Sequence, residues 1–295
     1  MGRAPGTNPI GLPVTDEPAP SRVAGWYSDP FGRHPVRYWD GGSWTAYAGD
    51  GEAVQWDPKP IEEPEEPRPG MPGIVTAAVA FAVGVVASFL VGLVVSSDDQ
   101  DRAAEIAASS LALWVPLVVG CVLVSRRRGT GSFRRDYGLR FRWSDLGLGL
   151  AGAVAGRLVS ASFVAPIPFP SRSLNEVDEA VFGESIEGAA TWTALILVTC
   201  VGAPLIEELF FRGLVQARLV ARYGTVVGIA AASLLFGAAH LMAWQGAWTF
   251  AYAWAVTGGG LVLGTIFHLT RRIGPAIAAH AFFNLQAMLV LAFLA

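Results

Sequence analysis

The stretch "LIEELFFRG", residues 205–213, places two adjacent glutamates and an arginine directly after the apolar run "TWTALILVTCVGAP" of residues 191–204. Apolar runs of about 18 or more residues are typical of membrane-spanning helices. An isolated charge within the hydrocarbon of a bilayer costs roughly several kcal/mol. This segment therefore predicts a membrane helix whose charged side chains are paired with one another, used for chemistry, or both.

The chain divides into two halves of unlike composition. Of its 295 residues, 53% are hydrophobic and only 15% are charged. Residues 1–72 are polar and hold most of the prolines, whereas residues 73–295 are dominated by Ala, Val, Leu and Gly. The apolar half predicts an all-α integral membrane bundle of about seven transmembrane helices, over 74–95, 103–124, 146–165, 189–211, 224–243, 247–269 and 274–295. The chain has no dense basic patch, so no nucleic-acid partner is expected.

The polar half contains one segment that can form a small fold. Residues 25–50, "GWYSDPFGRHPVRYWDGGSWTAYAGD", predict a soluble two- or three-stranded sheet held by Trp26, Tyr38, Trp39 and Trp44, with a hairpin at "DGG". We expect disorder over residues 1–24, a Pro/Glu-rich linker over 51–73, and the membrane domain over 74–295. The aromatic module resembles a short domain of unknown function with a GWYxDPxG…RYWDGxxWT signature, often attached to bacterial membrane proteins. Its aromatics suit a cytoplasmic partner.

Positive charge orients the predicted spans. The connection 125–144 carries seven arginines, and further arginines lie in 212–223 and 270–273, whereas the opposite connections are acidic. Cytoplasmic loops of membrane proteins are enriched in Lys and Arg. We therefore expect an inner (plasma) membrane protein of a bacterium, with its N-terminus in the cytoplasm.

Three pairs of side chains in the membrane half share a four-residue spacing, which places both members on one helix face. They are Glu208 with Arg212, Phe236 with His240, and His280 with Asn284. The simplest interpretation is that Arg212 neutralises Glu208 and leaves Glu207 available.

The predicted depths of these side chains in the membrane are similar. Glu207 lies 16 residues before Tyr223, and His240 lies 16 residues after Gly224. If these two helices form a hairpin at Tyr223-Gly224, the two side chains are level. His280 follows the Arg271-Arg272 connection, so we expect the site on the cytoplasmic side of the midplane, about 10 Å below the inner surface.

Each residue taken alone also has a structural interpretation. A single intramembrane histidine or asparagine often forms a hydrogen bond between helices. Arg157 is expected to reach the membrane surface or to pair with an acidic partner such as Glu208. Two other functions stay open: a proton-coupled transporter that uses Glu207, His240 and His280 as a relay, and a non-catalytic membrane scaffold or immunity protein.

The three motifs resemble a known family in their order and spacing. "EELFFR", "FGAAH" and "HAFFN" are similar to the EExxxR, FxxxH and HxxxN motifs of the CPBP (Abi-type) family, the CAAX-prenyl-protease and bacteriocin-processing group of intramembrane endopeptidases. The resemblance implies a hydrolase that cuts membrane-associated protein or peptide substrates in the lipid bilayer. It assigns the catalytic glutamate to Glu207, its water-activating partner to His240, and stabilisation of the oxyanion to His280 and Asn284, with Glu208 and Arg212 as structural support.

The cofactor is left open by these residues. Glu207, His240 and His280 form a set of three ligands of the kind that holds a catalytic Zn²⁺ with one open position. The chain has no HExxH helix, however, and a glutamate with a histidine can activate water without a metal. The sequence thus allows a Zn²⁺ enzyme and a metal-free enzyme equally.

Overall fold

The structure is a computed structural model that describes residues 23–41, 44–50, 53–58, 72–95, 102–167, 188–242 and 248–294. The disorder expected over residues 1–24 falls almost wholly outside the described residues, as does most of the expected linker. The chain forms two compact units, Met1–Glu63 and Pro64–Ala295.

The N-terminal unit is a four-stranded antiparallel sheet with the strands in sequence order. Its strands are β1 (Gly25–Ser28), β2 (Val36–Trp39), β3 (Trp44–Gly49) and β4 (Val54–Trp56). The sequence predicted two or three strands and ended the module at residue 50, so the strand count was wrong. The fourth strand pairs Trp56 with Tyr47 in β3 and lies within the stretch assigned to the linker.

The core of this sheet combines aromatic rings with a buried cation. The rings of Trp39 and Trp44 pack edge to face at 5.3 Å, as do those of Trp26 and Tyr38 at 5.4 Å. The same unit contains the fully buried Arg37, whose Nε donates to Asp29 Oδ1 at 2.8 Å. Burial alone would raise the pKa of Asp29, but hydrogen bonds from Arg37 and from backbone N–H groups outweigh it and lower that pKa.

The C-terminal unit is helical throughout its regular structure. Its helices are α1 (Pro72–Val95), α2 (Arg102–Arg128), the short α3 (Phe133–Asp136), α4 (Ser144–Val164), α5 (Ala189–Tyr223), α6 (Thr225–Ala239) with a 3₁₀ turn at His240–Met242, α7 (Trp248–Thr270) and α8 (Gly274–Leu294). Within the described residues, five of these helices are long and apolar enough to cross a membrane, and α6 and α8 are shorter apolar helices. The helical membrane architecture is thus confirmed, with a helix near each predicted span.

The greatest difference from the sequence-based prediction lies in α5. We expected its span to end at Phe211 and residues 212–223 to form an inner loop, but the helix continues without a break to Tyr223. Arg212, counted from the sequence as a charge at the membrane surface, is fully buried inside the bundle. The prediction from the charge pattern was wrong because the charge of Arg212 is compensated by side chains of its own unit and not by water.

Two π-helical segments interrupt the α-helical geometry of α5, at Leu197–Gly202 and Glu208–Gln216. Pro204 lies between them and supplies no backbone N–H to the preceding turn. The carbonyl oxygen of Thr199, five residues earlier, instead accepts a hydrogen bond from Asn284 Nδ2 on α8 at 2.7 Å. Wide turns of this kind occur frequently at functional sites because they change the direction of side chains.

Aromatic side chains pack the centre of the bundle around α5. Phe210 and Phe211 contact Phe81 of α1, and Phe211 also packs edge to face on Phe236 of α6 at 5.1 Å between ring centroids. The turn between α5 and α6 uses Gly224, whose φ of 80° suits glycine. The predicted hairpin at Tyr223-Gly224 is therefore present, and it brings the glutamates of α5 beside the end of α6.

Candidate active site

The side chains predicted as catalytic lie on the wall of one cavity. This cavity has a volume of about 300 Å³ and touches five helices and the 3₁₀ turn. Its lining comprises Ser88 of α1, Ser109, Ser110, Leu113 and Trp114 of α2, Val198, Thr199, Ala203 and Glu207 of α5, His240 after α6, Tyr252 of α7, and His280 and Asn284 of α8. All four predicted catalytic residues are included.

The two adjacent glutamates have different surroundings. Glu207 is half-buried on the cavity wall, and no hydrogen bond or ion pair joins its carboxylate to another of the described residues. Glu208, about 100° further round the helix, is fully buried and faces the interior of the bundle. The two carboxylates thus differ in burial and in surroundings: Glu207 lines the cavity, and Glu208 lies in the interior of the bundle.

Glu208 contacts two basic side chains. Its Oε2 lies 3.1 Å from Arg212 Nε, and its Oε1 lies 3.0 Å from His280 Nδ1. The first contact is an ion pair without the alignment of a hydrogen bond, because no guanidinium N–H of Arg212 has an aligned acceptor. The guanidinium instead stacks 4.4 Å from the centre of the Phe236 ring. The expected pairing of Glu208 with Arg212 is therefore present, and His280 joins it.

Hydrogen bonds fix which nitrogen of each histidine is left for the site. His240 Nδ1 lies 2.8 Å from the carbonyl oxygen of Phe236, and His280 Nδ1 faces the Glu208 carboxylate. Carbonyl and carboxylate oxygens accept hydrogen bonds, so the Nδ1 atom of each ring carries a proton. The Nε2 atom of each ring is consequently the one available to substrate or water.

Asn284 has one amide N–H already engaged with Thr199 O, which leaves its second N–H for another acceptor. The neighbouring Phe283 carbonyl accepts a hydrogen bond from Arg157 Nη2 at 3.0 Å, and the Arg157 guanidinium lies 4.0 Å from the centre of the Phe283 ring. Arg157 therefore does not pair with Glu208, which was one of its two interpretations from the sequence. Arg157 is held by α8, and Glu208 already has two basic neighbours.

Two further features of the site were missed from the sequence. The Tyr252 ring packs against the His240 ring at 5.8 Å, and Tyr252 lines the same cavity as Glu207. The three serines of α1 and α2 give that cavity a hydroxyl-bearing wall. No motif marks these residues, because their helices reach the site only through tertiary packing.

A metal site was tested on the same residues. In the part of the chain that the structure describes, no three His, Cys, Asp or Glu side chains are arranged to hold a metal ion. Glu207, His240 and His280 line one cavity but do not form the predicted ligand set in this geometry. We therefore derive no catalytic step through a metal.

Comparison with protein-family models finds one match in each half of the chain. Residues 189–286 match the model described as type II CAAX prenyl endopeptidase Rce1-like, which spans all three motifs. The membrane half carries an Rce1-like, CPBP-family region. Residues 24–56 match a protein family of unknown function, DUF2510, and this range ends with strand β4. Comparison with curated proteins and with solved structures finds no match.

The Rce1-like match confirms the resemblance stated from the motifs, and it supports a hydrolase of the CAAX-protease type in a membrane. Such an enzyme works in a lipid bilayer on a peptide substrate. The match does not specify the roles of individual residues. Those roles rest on the cavity and its hydrogen bonds.

Proposed function

We propose that this protein is an intramembrane endopeptidase that hydrolyses peptide bonds of membrane-associated substrates with a water activated by Glu207 and His240. The observation that carries the proposal is the convergence of Glu207, His240, His280 and Asn284 on one cavity, in a region that matches the Rce1-like family. A cavity of about 300 Å³ has room for several water molecules and a short piece of peptide chain.

The first chemical step uses Glu207, whose carboxylate has no hydrogen-bond or ion-pair partner among the described residues. Glu207 accepts a proton from water, and the resulting hydroxide attacks the carbonyl carbon of the scissile peptide bond. His240 Nε2 accepts a hydrogen bond from the same water and orients it, while the bond from Nδ1 to Phe236 O holds the ring in place. The proton on Glu207 then passes to the leaving amine, so the carboxylate is regenerated.

The second requirement is stabilisation of the oxyanion that forms on the carbonyl oxygen. Asn284 has one amide N–H left for this purpose. His280 can donate from Nε2 only as an imidazolium, because Glu208 already holds its Nδ1 proton. Glu208, which contacts both His280 Nδ1 and Arg212 Nε, orients the His280 ring at the oxyanion site as well as pairing with Arg212.

Replacing Glu207 tests this function directly. Glu207→Gln keeps the size of the side chain and removes the base, so we expect a loss of peptide cleavage of about 10²- to 10⁴-fold. The assay uses the purified protein in detergent with a synthetic peptide library, and mass spectrometry detects the products. Glu105→Gln, a carboxylate of α2 outside the cavity lining, is the matched control and should retain full activity.

A Glu207→Gln variant that retains more than about a tenth of wild-type cleavage would contradict the base role. Circular dichroism and the melting temperature of each variant show whether the fold is preserved. If the wild type cleaves no peptide at all, the non-catalytic scaffold becomes the better interpretation. If reconstituted vesicles show proton-coupled uptake that needs Glu207, the transporter becomes the better interpretation.

A further inference from the structure

A strongly cationic surface lies at the end of α2, away from the proposed active site. The connection 125–144 carries seven arginines and a single carboxylate, Asp136. Five of these arginines are exposed, in the last turn of α2 and on the short α3. They form the arginine cluster, which consists of Arg126, Arg127, Arg128, Arg134 and Arg135.

The carboxylates nearest to this cluster in the chain are already occupied. Asp136 Oδ1 accepts hydrogen bonds from the backbone N–H and the hydroxyl of Thr130, both at 2.8 Å, and Asp136 Oδ2 accepts one from Ser125 Oγ. Asp145 is fully buried and pairs with Arg272 at 2.6 Å. Among the described residues, no hydrogen bond or ion pair engages the side chains of the arginine cluster. Its five positive charges are therefore available to an anionic partner.

Exposed aromatic side chains follow the cluster and indicate its depth. In "LRFRW", residues 139–143, arginines alternate with Leu139, Phe141 and Trp143, and Trp143 is 85% exposed. The rings of Phe141 and Trp143 pack edge to face at 6.3 Å. Both candidate spans that flank the connection, Ala103–Arg128 and Ser144–Val164, end or begin at these residues. Tryptophan at the end of a membrane helix is typical of the headgroup level, so the cluster lies at the membrane interface.

The backbone of the connection is fixed by contacts with two helices. The Tyr137 hydroxyl donates to the carbonyl oxygen of Cys121 in α2 at 2.6 Å. The carbonyl oxygen of Gly138 accepts a hydrogen bond from the N–H of Ile273, directly before α8, at 2.9 Å. Tyr137 and Gly138 are both buried. A surface that is already held in one shape loses less conformational entropy when it binds a ligand.

We propose that the arginine cluster binds the headgroups of anionic phospholipids, while Phe141 and Trp143 lie among the upper parts of the acyl chains. A guanidinium group donates paired hydrogen bonds to phosphate oxygens. Clusters of roughly four to eight basic residues beside a membrane helix are typical of anionic-lipid contacts, and each residue contributes about fivefold to binding. The inference concerns lipid binding only and is independent of the proposed hydrolysis.

The test measures lipid binding to the full-length protein purified in detergent. Phosphatidylglycerol and phosphatidylcholine with identical acyl chains are added separately, because they differ in headgroup charge alone. Native mass spectrometry gives the apparent Kd of the first bound lipid. Two variants remove charge from separate parts of the cluster, and they are Arg126→Gln/Arg127→Gln/Arg128→Gln and Arg134→Gln/Arg135→Gln.

We expect the wild type to bind phosphatidylglycerol at least about tenfold more tightly than phosphatidylcholine, and each cluster variant to lower this preference by about tenfold or more. Arg102→Gln, at the opposite end of α2, is the matched control and should leave the preference unchanged. A wild-type preference in both cluster variants, or an equal loss in Arg102→Gln, would overturn the proposal. Circular dichroism and the melting temperature verify the fold of each variant, and if one cluster variant unfolds, the other decides.

Two soluble anions distinguish a lipid from other occupants of the same surface. Glycerol 1-phosphate carries the phosphate without acyl chains, and a hexaglutamate peptide represents an acidic protein segment. We expect neither compound to displace phosphatidylglycerol when it is added at the concentration of the lipid. Displacement by glycerol 1-phosphate would indicate a site for free phosphate, and displacement by hexaglutamate would indicate an acidic protein partner. Either result would overturn a lipid-binding surface.

Discussion

Two glutamates that are adjacent in sequence have opposite environments, and this difference comes from the helix that carries them. Glu207 faces a cavity, whereas Glu208 is buried between Arg212 and His280. Removing one member of a buried charge set leaves the other members without compensation, at a cost of about 3–5 kcal/mol. The two carboxylates should consequently respond to the same substitution in different ways.

Glu208→Gln should chiefly lower stability. The amide keeps a hydrogen-bond acceptor for His280 but leaves the buried Arg212 guanidinium without a counter-charge, so we expect a clear fall of the melting temperature in detergent. Glu207→Gln should melt close to the wild type. An unchanged melting temperature for Glu208→Gln combined with lost cleavage would reverse the roles assigned to the two glutamates.

Tyr252 offers a hydroxyl to the same cavity. Its ring contacts His240, and no hydrogen bond joins its hydroxyl to another described residue. We propose that a donor at this position adds to the oxyanion stabilisation proposed for Asn284. Tyr252→Phe removes only the hydroxyl, and loss of one such donor costs about 10²–10³ in kcat.

Steady-state cleavage of a single peptide, chosen from the library, measures this effect of Tyr252→Phe on kcat and KM separately. We expect kcat to fall while KM and the melting temperature stay close to wild type. Activity within about twofold of the wild type would show that Tyr252 serves packing against His240 and gives no catalytic hydrogen bond. Tyr223→Phe, at the exposed end of α5, is the control.

At the residue scale, most of the side-chain contacts that were predicted correctly came from the spacing of residues along the helices. The four-residue interval placed Arg212 beside Glu208, and the hairpin count placed Glu207 and His240 in one cavity. Contacts between distant segments could not be predicted in this way. The bond from Asn284 to Thr199 O depends on a wide helical turn near Pro204, and the contact of Arg157 with Phe283 depends on how α4 packs against α8.

At the scale of helices, hydropathy located the elements but not all of their ends. Apolar runs predicted the helices correctly because each run must satisfy its backbone groups within one segment. The arginines of 212–223 were then assigned to a loop, which placed the end of α5 at Phe211, but the helix continues to Tyr223. A buried arginine looks the same in sequence as a surface arginine, and only the tertiary contacts of Arg212 distinguish them.

The position of His240 also depends on close packing between helices. A Cβ at Gly237 of α6 would lie 2.0 Å from Thr257 Oγ1 and 2.5 Å from the carbonyl oxygen of Ala253, both on α7. Gly237→Ala therefore forces the two helices apart and moves His240 relative to Tyr252. Overpacking of this kind costs about 1–3 kcal/mol, and a misplaced histidine lowers turnover as well.

Gly92→Ala is the control for this substitution, because an added Cβ at Gly92 of α1 meets no atom within 4 Å. We expect Gly237→Ala to lower both the melting temperature and peptide cleavage, and Gly92→Ala to change neither. If Gly237→Ala retained wild-type stability and turnover, the close approach of α6 and α7 would not be what positions His240.

At the scale of the whole membrane unit, the cavity extends toward the helix ends opposite the arginine-rich connections. Ser88 lies 7 residues before the end of α1, Ser109 lies 7 residues after the start of α2, and Tyr252 lies 4 residues after the start of α7. At 1.5 Å per residue, these three residues are about 6–10 Å from helix ends that lie opposite the arginine-rich connections, whereas Glu207 is near the middle of α5, about 27 Å from Ala189 and about 24 Å from Tyr223. One side of the cavity is therefore near the ends opposite the arginines, and Glu207 is at mid-depth.

The position of His280 suggested the reverse from the sequence alone. His280 follows the start of α8 by only 6 residues, which placed it near the arginines at 271 and 272. Ile273 and Pro275 are fully buried, and the Ile273 N–H donates to the carbonyl of Gly138, in the arginine-rich connection, at 2.9 Å. The start of α8 thus lies beside that connection, and His280 is about 9 Å further along the helix.

This geometry predicts which face of the membrane admits water to the site. The positive-inside rule places the seven arginines of 125–144 in the cytoplasm, so the cavity should open toward the opposite face.

A cysteine at Ser109, on the cavity wall, should then react with a membrane-impermeant maleimide added to intact cells. A cysteine at Thr130, in the arginine-rich connection, should react only in inverted membrane vesicles, and Cys121 and Cys200 are first replaced by alanine to remove background labelling. Reaction of both cysteines from the same face would show that the cavity opens on the arginine-rich side, and hydrolytic water would then enter there. The comparison needs no substrate, because it measures only which face reaches Ser109, and it therefore tests the access route independently of catalysis.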